Sequence, residues 1–336
     1  MKPQDSVPLP ATDRPLIEDI RPTPVKERSP LGVVELTLDE GQSVRAIGVV
    51  YGIEHIVRGE GFRARVFLDQ YSQRLKVGEY EATDHEALVL KLRWLAEANG
   101  FDKITIMASA DDWERFLGHG YVLEAILKYY RSGADALVVS KFRSQERLTS
   151  GSLMDEILLI EKVMADKSSP RPRPLPVGCD LRLATRDDIP ELIQLYQSIF
   201  ETYPTPLIHS SYLEAVFQEE AIFAVCTWNG RIAAAASAEL HPAVSAAELT
   251  DCSTRPDCRS QGLISHILTL LEGELRSRDY VCAYTMARAR SFGMNYVFHR
   301  LGYEFNGRLV NNCDIFGAYE DMNIWVKNLS RVQGPA

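Results

Sequence analysis

The residues from Ser245 to Arg278 hold the clearest chemical signal in this 336-residue chain. A predicted strand ending near Thr254 leads through a short loop, Arg259-Ser260-Gln261-Gly262, into a predicted helix that begins at Leu263. The first N–H groups of a helix have no partner within it, and the helix dipole places positive charge behind them. Residues 259–263 therefore predict an anion site that suits a pyrophosphate.

A glycine before a helix more often marks a simple turn than a ligand site, so the residues around it must also fit a known motif. The loop resembles the cofactor loop of the GNAT superfamily of acyl-CoA-dependent N-acetyltransferases, Arg/Gln-x-x-Gly-x-Gly/Ala. Arg259 and Gly262 match it, whereas Ile264 stands where the last small residue is usual. The resemblance implies acetyl-CoA as cosubstrate, bound by residues 259–263. It also implies that backbone N–H groups at the end of the preceding strand stabilise the oxyanion, here those of Cys252, Ser253 and Thr254.

Longer motifs in the second half are more specific than this loop. They are FETYPTP from Phe200, AELTD from Ala247, YTMARARSFGMN from Tyr284, the pair Asn311-Asn312 and EDMNIW from Glu320. Together they resemble the beta-lysine N6-acetyltransferase family, and the similarity runs from about Val33 to Lys327. The chain is identified as a member of this family. Membership implies acetyl transfer to the side-chain amine of beta-lysine, a small molecule, giving the compatible solute N6-acetyl-beta-lysine.

Amine acetylation requires a neutral amine and therefore a base. A lysine-type ammonium has a pKa near 10.4, so removing its proton at pH 7 costs roughly 4 to 5 kcal/mol. Glu248 and Asp251 lie on the strand before the loop, and strict alternation would place them on opposite faces, with one facing the cleft. Superfamily members often place a base at the middle of this strand, which favours Glu248, with Asp251 as its partner. Either carboxylate could instead anchor a second ammonium or cap a loop.

The general acid is not assigned by the sequence. In the superfamily a tyrosine four residues before the glycine of the final helix usually protonates the leaving thiolate. Phe298 has that position here and cannot donate a proton, and Tyr296 is expected to point elsewhere on the helix.

The substrate site must provide partners for the carboxylate and the two amino groups of beta-lysine. The forked donors of Arg288, within a family motif and close to Arg290, suit a carboxylate. Tyr203 could line the amine pocket or simply pack. Polar residues near the predicted closing hairpin could bind substrate or serve only the backbone; they are Asn311, Asn312, Asp321 and Asn323.

Composition narrows the class of partner. The net charge of −9 argues against nucleic acid, which usually requires a basic face. The sequence contains no apolar run that approaches the roughly 20 residues needed to span a bilayer. The N-terminal segment is polar and proline-rich, without an apolar signal core. These features predict a cytoplasmic protein that binds neither nucleic acid nor membrane.

All six cysteines fall in the second half, at positions 179, 226, 252, 258, 282 and 313. No Cys-x-x-Cys pair occurs, so neither a metal site nor a disulfide framework is expected. Cys252 and Cys258 lie shortly before the predicted cofactor loop, but no histidine is adjacent to either of them in the sequence to activate the thiol. Buried, reduced thiols are the favoured interpretation.

Proline clusters divide the chain. Eleven of the 17 prolines lie in residues 1–30 and 168–176. The predicted organisation is a flexible arm at 1–30, an N-terminal domain at 31–166, a stiff linker at 167–178 and a catalytic domain at 179–330.

The two predicted domains share an order of elements. In each, a helix, an apolar strand and a second helix are followed by Phe-x-x-x-Gly-Tyr, at Phe116 and at Phe298. The offset is about 180 residues, but the segment before Asp84 lacks an Arg-x-x-Gly loop. The predicted fold is therefore mixed α/β, with two tandem GNAT-like domains of which the first is degenerate. Two alternatives remain at this stage: an acetyltransferase for lysine or another diamine, and a non-catalytic acyl-CoA-binding protein.

Overall fold

The computed structural model describes residues 23–24, 32–48, 52–167, 174–200, 205–217, 219–315 and 317–330. Most of the two proline-rich segments lies outside these residues, and so does Tyr203. Within the described part of the chain, no helix is long and apolar enough to cross a membrane.

The first half, residues 23–167, is mainly strands with one long helix against them. Its strands are β1 (Thr23–Pro24), β2 (Gly32–Asp39), β3 (Gln42–Gly48), β4 (Ile53–Gly59), β5 (Phe62–Asp69), β6 (Arg74–Ala82), β7 (Lys103–Ser109), β8 (Val122–Arg131) and β9 (Ala134–Phe142). Its helices are α1 (His85–Ala98), α2 (Trp113–Leu117), α3 (Gln145–Leu148) and α4 (Leu153–Met164). The apolar face of α1 is buried against the strands, because Leu88, Leu92 and Leu95 recur at helical spacing.

The second half, residues 174–330, contains the predicted catalytic motifs. Its strands are β10 (Cys179–Leu183), β11 (Ala221–Trp228), β12 (Arg231–His241), β13 (Ala246–Thr254), β14 (Cys282–Arg288), β15 (Glu304–Ile315) and β16 (Ala318–Asn328). Its helices are α5 (Ile189–Ile199), α6 (Ser210–Val216), α7 (Leu263–Ser277) and α8 (Phe292–Arg300). Helix α7 packs on one face of β11 to β13, and α5 with α6 packs on the other.

One continuous sheet joins the halves. Its main path runs β10-β11-β12-β13-β14-β16-β15-β8-β9-β7-β6-β5-β4, while β2 and β3 form a separate pair. Gly307 on β15 and Ala125 on β8 form the junction. A shared apolar core, which includes Tyr130, Tyr284 and Leu309, packs between the halves around this junction.

The predicted duplication is confirmed by the strand order. The order β11-β12-β13-β14-β16-β15 in the second half matches β4-β5-β6-β7-β9-β8 in the first. In each half one parallel pair, β13 with β14 or β6 with β7, lies among antiparallel strands. Each first strand of these pairs also holds one extra residue, Asp251 in β13 and Gly78 in β6. Shared order and shared bulges indicate two copies of one architecture.

Candidate active site

Strand β13 supplies the two carboxylates predicted from the sequence. Glu248 pairs with Glu239 of β12, and Ser237 lies two residues from Glu239 on the same face. Asp251 has a φ of +54° at the bulge, and its Oδ2 accepts a hydrogen bond of 2.6 Å from the Ser237 hydroxyl. The expectation that Glu248 and Asp251 lie on opposite faces is therefore wrong, because the bulge interrupts the alternation of side chains. Both carboxylates belong to the face that α5 and α6 cover.

Glu248 lies in a partly buried pocket, and nearby charged and polar side chains change the pKa of its carboxyl. Burial raises the pKa of its carboxyl to about 8, and the charge of Glu239 on the neighbouring strand also raises it. Lys76 of the first half lowers that pKa, as does a hydrogen bond from the Tyr284 hydroxyl. Tyr284 is the residue opposite Glu248 on β14. A carboxyl with a pKa near 8 is suited to accept a proton at neutral to mildly alkaline pH.

His241 lies next to Tyr284 and enlarges the cluster of polar side chains around Glu248. His241 Nε2 lies 3.1 Å from the Tyr284 hydroxyl, and the two rings are stacked with centroids 6.1 Å apart. Burial lowers the pKa of His241 and therefore favours its neutral form. Glu248, Tyr284 and His241 thus form a connected set of titratable side chains on adjacent strands.

Asp251 has a more enclosed environment than Glu248. It is 5% exposed, and the Ser237 hydroxyl donates to it. Burial, followed by the negative charge of Asp251, raises the pKa of Tyr196 on α5 and of Tyr212 on α6. Asp251 is therefore held at the base of the pocket beneath these helices.

An opening lies beside the two carboxylates. Strands β13 and β14 pair at three positions, the last being Glu248 with Tyr284, and the pairing does not continue along β13 from Leu249 to Thr254. The predicted oxyanion donors at Cys252, Ser253 and Thr254 lie on this stretch. Backbone groups there face a space that the sheet does not close.

The predicted pyrophosphate loop follows that stretch. Arg259, Ser260 and Gln261 are exposed, and Gly262 caps the N-terminus of α7 with a φ of +77°. This left-handed conformation favours glycine. Eight residues, 255–262, separate β13 from α7 and leave the start of the helix accessible. The geometry fits the acyl-CoA site that the motif implies.

The matching place in the first half has a different construction. Two residues connect β6 to α1, and the Asp84 carboxylate accepts a 2.9 Å hydrogen bond from the Ala87 N–H at the start of that helix. Tyr80 fills the gap between β6 and β7, since its hydroxyl donates to Asp112 Oδ1 at 2.5 Å and accepts from the Ser109 N–H at 3.0 Å. A carboxylate at the helix start repels an anion, so the start of α1 does not resemble the predicted pyrophosphate site at α7.

Comparisons with known proteins agree with this arrangement. A family model described as the Acetyltransferase (GNAT) family matches residues 189–303. The chain is 32% identical over 264 residues to the beta-lysine N(6)-acetyltransferase of Methanosarcina mazei, across 73% of this chain and 97% of that protein. It is 33% identical over 273 residues to the N-acetyltransferase YodP of Bacillus subtilis, across 81% of this chain and 98% of that protein.

The chain belongs to the beta-lysine N6-acetyltransferase family. It is therefore an N-acetyltransferase of tandem GNAT-like architecture that acetylates an amine with acetyl-CoA as donor. Among solved structures, the ribosomal-protein-S18-alanine N-acetyltransferase of Escherichia coli aligns with a TM-score of 0.41 and 20% identity, over 47% of this chain and 98% of that chain.

The family motif around Arg288 forms an ion pair. Arg288 Nε donates to Glu320 Oε2 at 2.9 Å, and its Nη2 donates to the other carboxylate oxygen. Its guanidinium is therefore already engaged by a carboxylate of β16. A role for Arg288 in binding the substrate carboxylate stays a prediction and would require this pair to rearrange.

The polar residues of β15 and β16 are buried at the junction of the halves. The Asn311 side chain donates to the carbonyls of Glu146, Arg147 and Thr149, each at 3.1 Å. The Asn311 N–H donates to Asp321 Oδ1 at 2.7 Å. These bonds hold the loop around α3 against β15.

Asn312 takes part in the same junction, whereas Asn323 bonds to residues of the second half. The carbonyl of Asn312 accepts hydrogen bonds from Arg74 and Arg147 of the first half. Asn323 donates to Asn295 at 2.9 Å and accepts from Arg308 at 3.0 Å. The structure thus gives Asn311, Asn312, Asp321 and Asn323 structural partners, and substrate contacts by them stay predictions.

Helix α8 contains Phe298 at the position where the superfamily usually has the acid tyrosine. Phe298 is buried and packs edge-to-face on Tyr303, with centroids 5.1 Å apart. The Tyr296 hydroxyl points away and donates to Asp166 Oδ2 at 2.6 Å, beyond the end of α4. The expected direction of Tyr296 is therefore confirmed.

Sequence reasoning missed several residues of the pocket. Glu239 and His241 lie on β12, and the short turn at 242–245 places Glu239 opposite Glu248. The hairpin spacing around that turn is the signal that could have revealed this pair. Tyr130 of the first half lies with its ring centroid 5.6 Å from that of Tyr284. No pattern in the sequence around either tyrosine predicts that contact.

Proposed function

We propose that this enzyme transfers an acetyl group from acetyl-CoA to the side-chain amine of beta-lysine, giving N6-acetyl-beta-lysine, a compatible solute. The relatives in Methanosarcina mazei and Methanococcus maripaludis that are named beta-lysine N(6)-acetyltransferases support the acceptor. The observation that carries the chemistry is Glu248, a carboxyl with a raised pKa beside the opening between β13 and β14.

Glu248 is the general base in this proposal. It accepts one proton from the substrate ammonium, and the neutral nitrogen then attacks the thioester carbonyl. A base with a pKa of about 8 lies closer to the amine pKa near 10.4 than an ordinary glutamate does. Proton transfer is correspondingly less unfavourable, while a useful fraction of the base stays ionised near neutral pH.

The proton leaves Glu248 through its neighbours. Tyr284 donates to Glu248, and His241 lies 3.1 Å from the same hydroxyl, so a proton can pass along these groups towards solvent. His241 is neutral near pH 7 because burial lowers its pKa, and its ring can accept a proton. Asp251 supports the pocket from beneath, held by Ser237.

Acetyl transfer then requires stabilisation of the carbonyl oxygen. Backbone N–H groups of Cys252, Ser253 and Thr254 on the open stretch of β13 are the proposed donors. As the C–N bond forms, the C–S bond breaks and coenzyme A leaves as a thiolate, which takes up the remaining proton given up by the nitrogen. Cys252 plays no nucleophilic part, because burial raises its pKa and keeps the thiol protonated.

The pyrophosphate of the cosubstrate lies at Arg259 to Leu263 in this proposal, and the first half binds none. The Asp84 carboxylate and the short connection before α1 support that asymmetry. The proposed domain limits, 31–166 and 179–330, place the whole cofactor site in the second domain.

A side-by-side assay tests the acceptor. Acetyl-CoA consumption is measured with beta-lysine, lysine and simple diamines at equal concentration, and the acetylated nitrogen is located by NMR. We expect the highest kcat/KM with beta-lysine and acetylation at N6. A higher value for lysine or for a diamine would replace the proposed acceptor while leaving acetyl transfer intact.

A further inference from the structure

Strand β6 of the first half turns one face towards the catalytic pocket. Leu75 and Val77 pack in the core around α1, so Lys76 between them lies on the opposite face. Lys76 is paired with Thr105 of β7, and Met107, two residues further on the same face, packs against the core between the halves. Lys76 thus faces the second half of the chain.

The Lys76 ammonium lies within electrostatic reach of the proposed base. Its charge acts on both Glu248 of β13 and His241 of β12, in agreement with the face of β6 on which it lies. Its Nζ lies 5.0 Å from the centroid of the Phe67 ring, a contact that supports the side chain from beneath. Among the described residues, no carboxylate or carbonyl lies within bonding distance of this ammonium.

Two other cations near the pocket, Arg74 and Arg288, already have strong partners. Arg74 is buried and donates to Asp69 and to the carbonyl of Asn312. Arg288 is paired with Glu320 on both of its forked donors. Among the described residues, Lys76 is therefore a cation that a new carboxylate can reach without breaking an existing ion pair.

We propose that Lys76, from the non-catalytic half, binds the carboxylate of the amine substrate and so selects amino acids over simple diamines. The inference rests on the proposed function, because it needs a substrate that carries both a side-chain amine and a carboxylate. The acidic groups Glu239 and Glu248 attract the ammonium groups of either class, whereas Lys76 attracts only the carboxylate, which the amino acids carry and a diamine lacks. The degenerate half thus acts as a specificity element.

The test compares acceptors with and without a carboxylate. Wild type, Lys76→Met and Lys76→Arg are assayed with beta-lysine, lysine and cadaverine, the diamine that lacks the carboxylate of lysine. Lys162→Met is the matched control, since Lys162 also lies over a phenylalanine ring, 5.3 Å from the Phe292 centroid, but is on α4. For Lys76→Met we expect kcat/KM to fall roughly ten- to hundredfold with the amino acids and to stay equal or rise with cadaverine.

The outcomes separate the inference from the function on which it rests. Lys76→Arg should keep the preference for amino acids, because it keeps the charge, and this variant decides the matter if Lys76→Met fails to fold. An equal fall with all three acceptors would show that Lys76 acts only on Glu248, and would overturn the inference alone. A wild type that acetylates cadaverine but neither amino acid would overturn both the inference and the proposed acceptor.

Discussion

If Glu248 is the base, as proposed, its ionisation links the stability of the enzyme to its activity. Burial, helped by the charge of Glu239, raises the pKa of this carboxyl from 4.5 to about 8. Between these two values the folded protein keeps a proton that the unfolded chain has lost. The free energy of unfolding therefore falls as the pH rises from about 4.5 to about 8.

Glu248→Gln keeps the size of the side chain and removes this titration. At about 1.36 kcal/mol for each pH step, the carboxyl costs the folded state roughly 3 kcal/mol at pH 7 and about 5 kcal/mol above pH 8. We expect the variant to exceed wild type in unfolding free energy by up to these amounts, with little difference near pH 4.5. The same variant should lose most turnover at neutral pH, because it has no base.

Urea unfolding between pH 4.5 and pH 8.5 measures the stability part, and initial rates across a pH series measure the activity part. The loss of rate should shrink at high pH, where more of the amine is already neutral. Glu239→Gln is a useful comparison, since it removes one cause of the raised pKa of Glu248. In this variant the change in stability with pH and the change in rate with pH should both occur at lower pH. A stability difference that stays constant with pH, or an unchanged rate, would refute the reasoning.

Three further predictions concern the cofactor site and the second carboxylate. Gly262→Asp should weaken coenzyme A binding in calorimetry far more than Gly262→Asn, because both side chains tolerate the φ of +77° but one adds negative charge at the helix start. Equal losses would mean that only space matters. Titration should give one coenzyme A site per chain, since Asp84 caps the corresponding helix, and two equivalent sites would contradict this. Asp251→Asn should mainly raise KM and show no recovery at high pH, whereas recovery would make Asp251 the base.

Much of the fold was predictable because it rests on local patterns. The repeated Phe-x-x-x-Gly-Tyr segments at Phe116 and Phe298 and the shared order of elements indicated two copies, and the strand order confirms them. The cofactor loop was visible because Arg259 and Gly262 lie directly before an apolar helix pattern. The spacing of apolar residues in a helix and the choice of turn residues depend on neighbouring positions in the chain, so both can be recognised in the sequence.

The pocket was less predictable because its geometry depends on one inserted residue and on distant contacts. Strict alternation placed Asp251 away from Glu248, whereas the bulge at Asp251 brings it to the Ser237 hydroxyl. The contact between Tyr130 and Tyr284 spans the two halves, and nothing in either strand marks it. For Asn311 the sequence left two roles open, substrate contact and support of the backbone, and the structure shows its side chain donating to three carbonyls of the α3 loop.

The degenerate half explains how one glutamate acquires a base-like pKa. A carboxylate on an open sheet would stay hydrated and ionise near its ordinary value. Here the ring of Tyr130 packs on Tyr284 and His241, and the Ser132 N–H donates to the Val244 carbonyl at 2.8 Å, so the first half covers the pocket beside Glu248. In that half the Asp84 carboxylate caps the start of α1, and the cover that the half provides shields the proposed base from water. A copy that is proposed to bind no cofactor can thus still contribute to the electrostatics of the proposed base in the other copy.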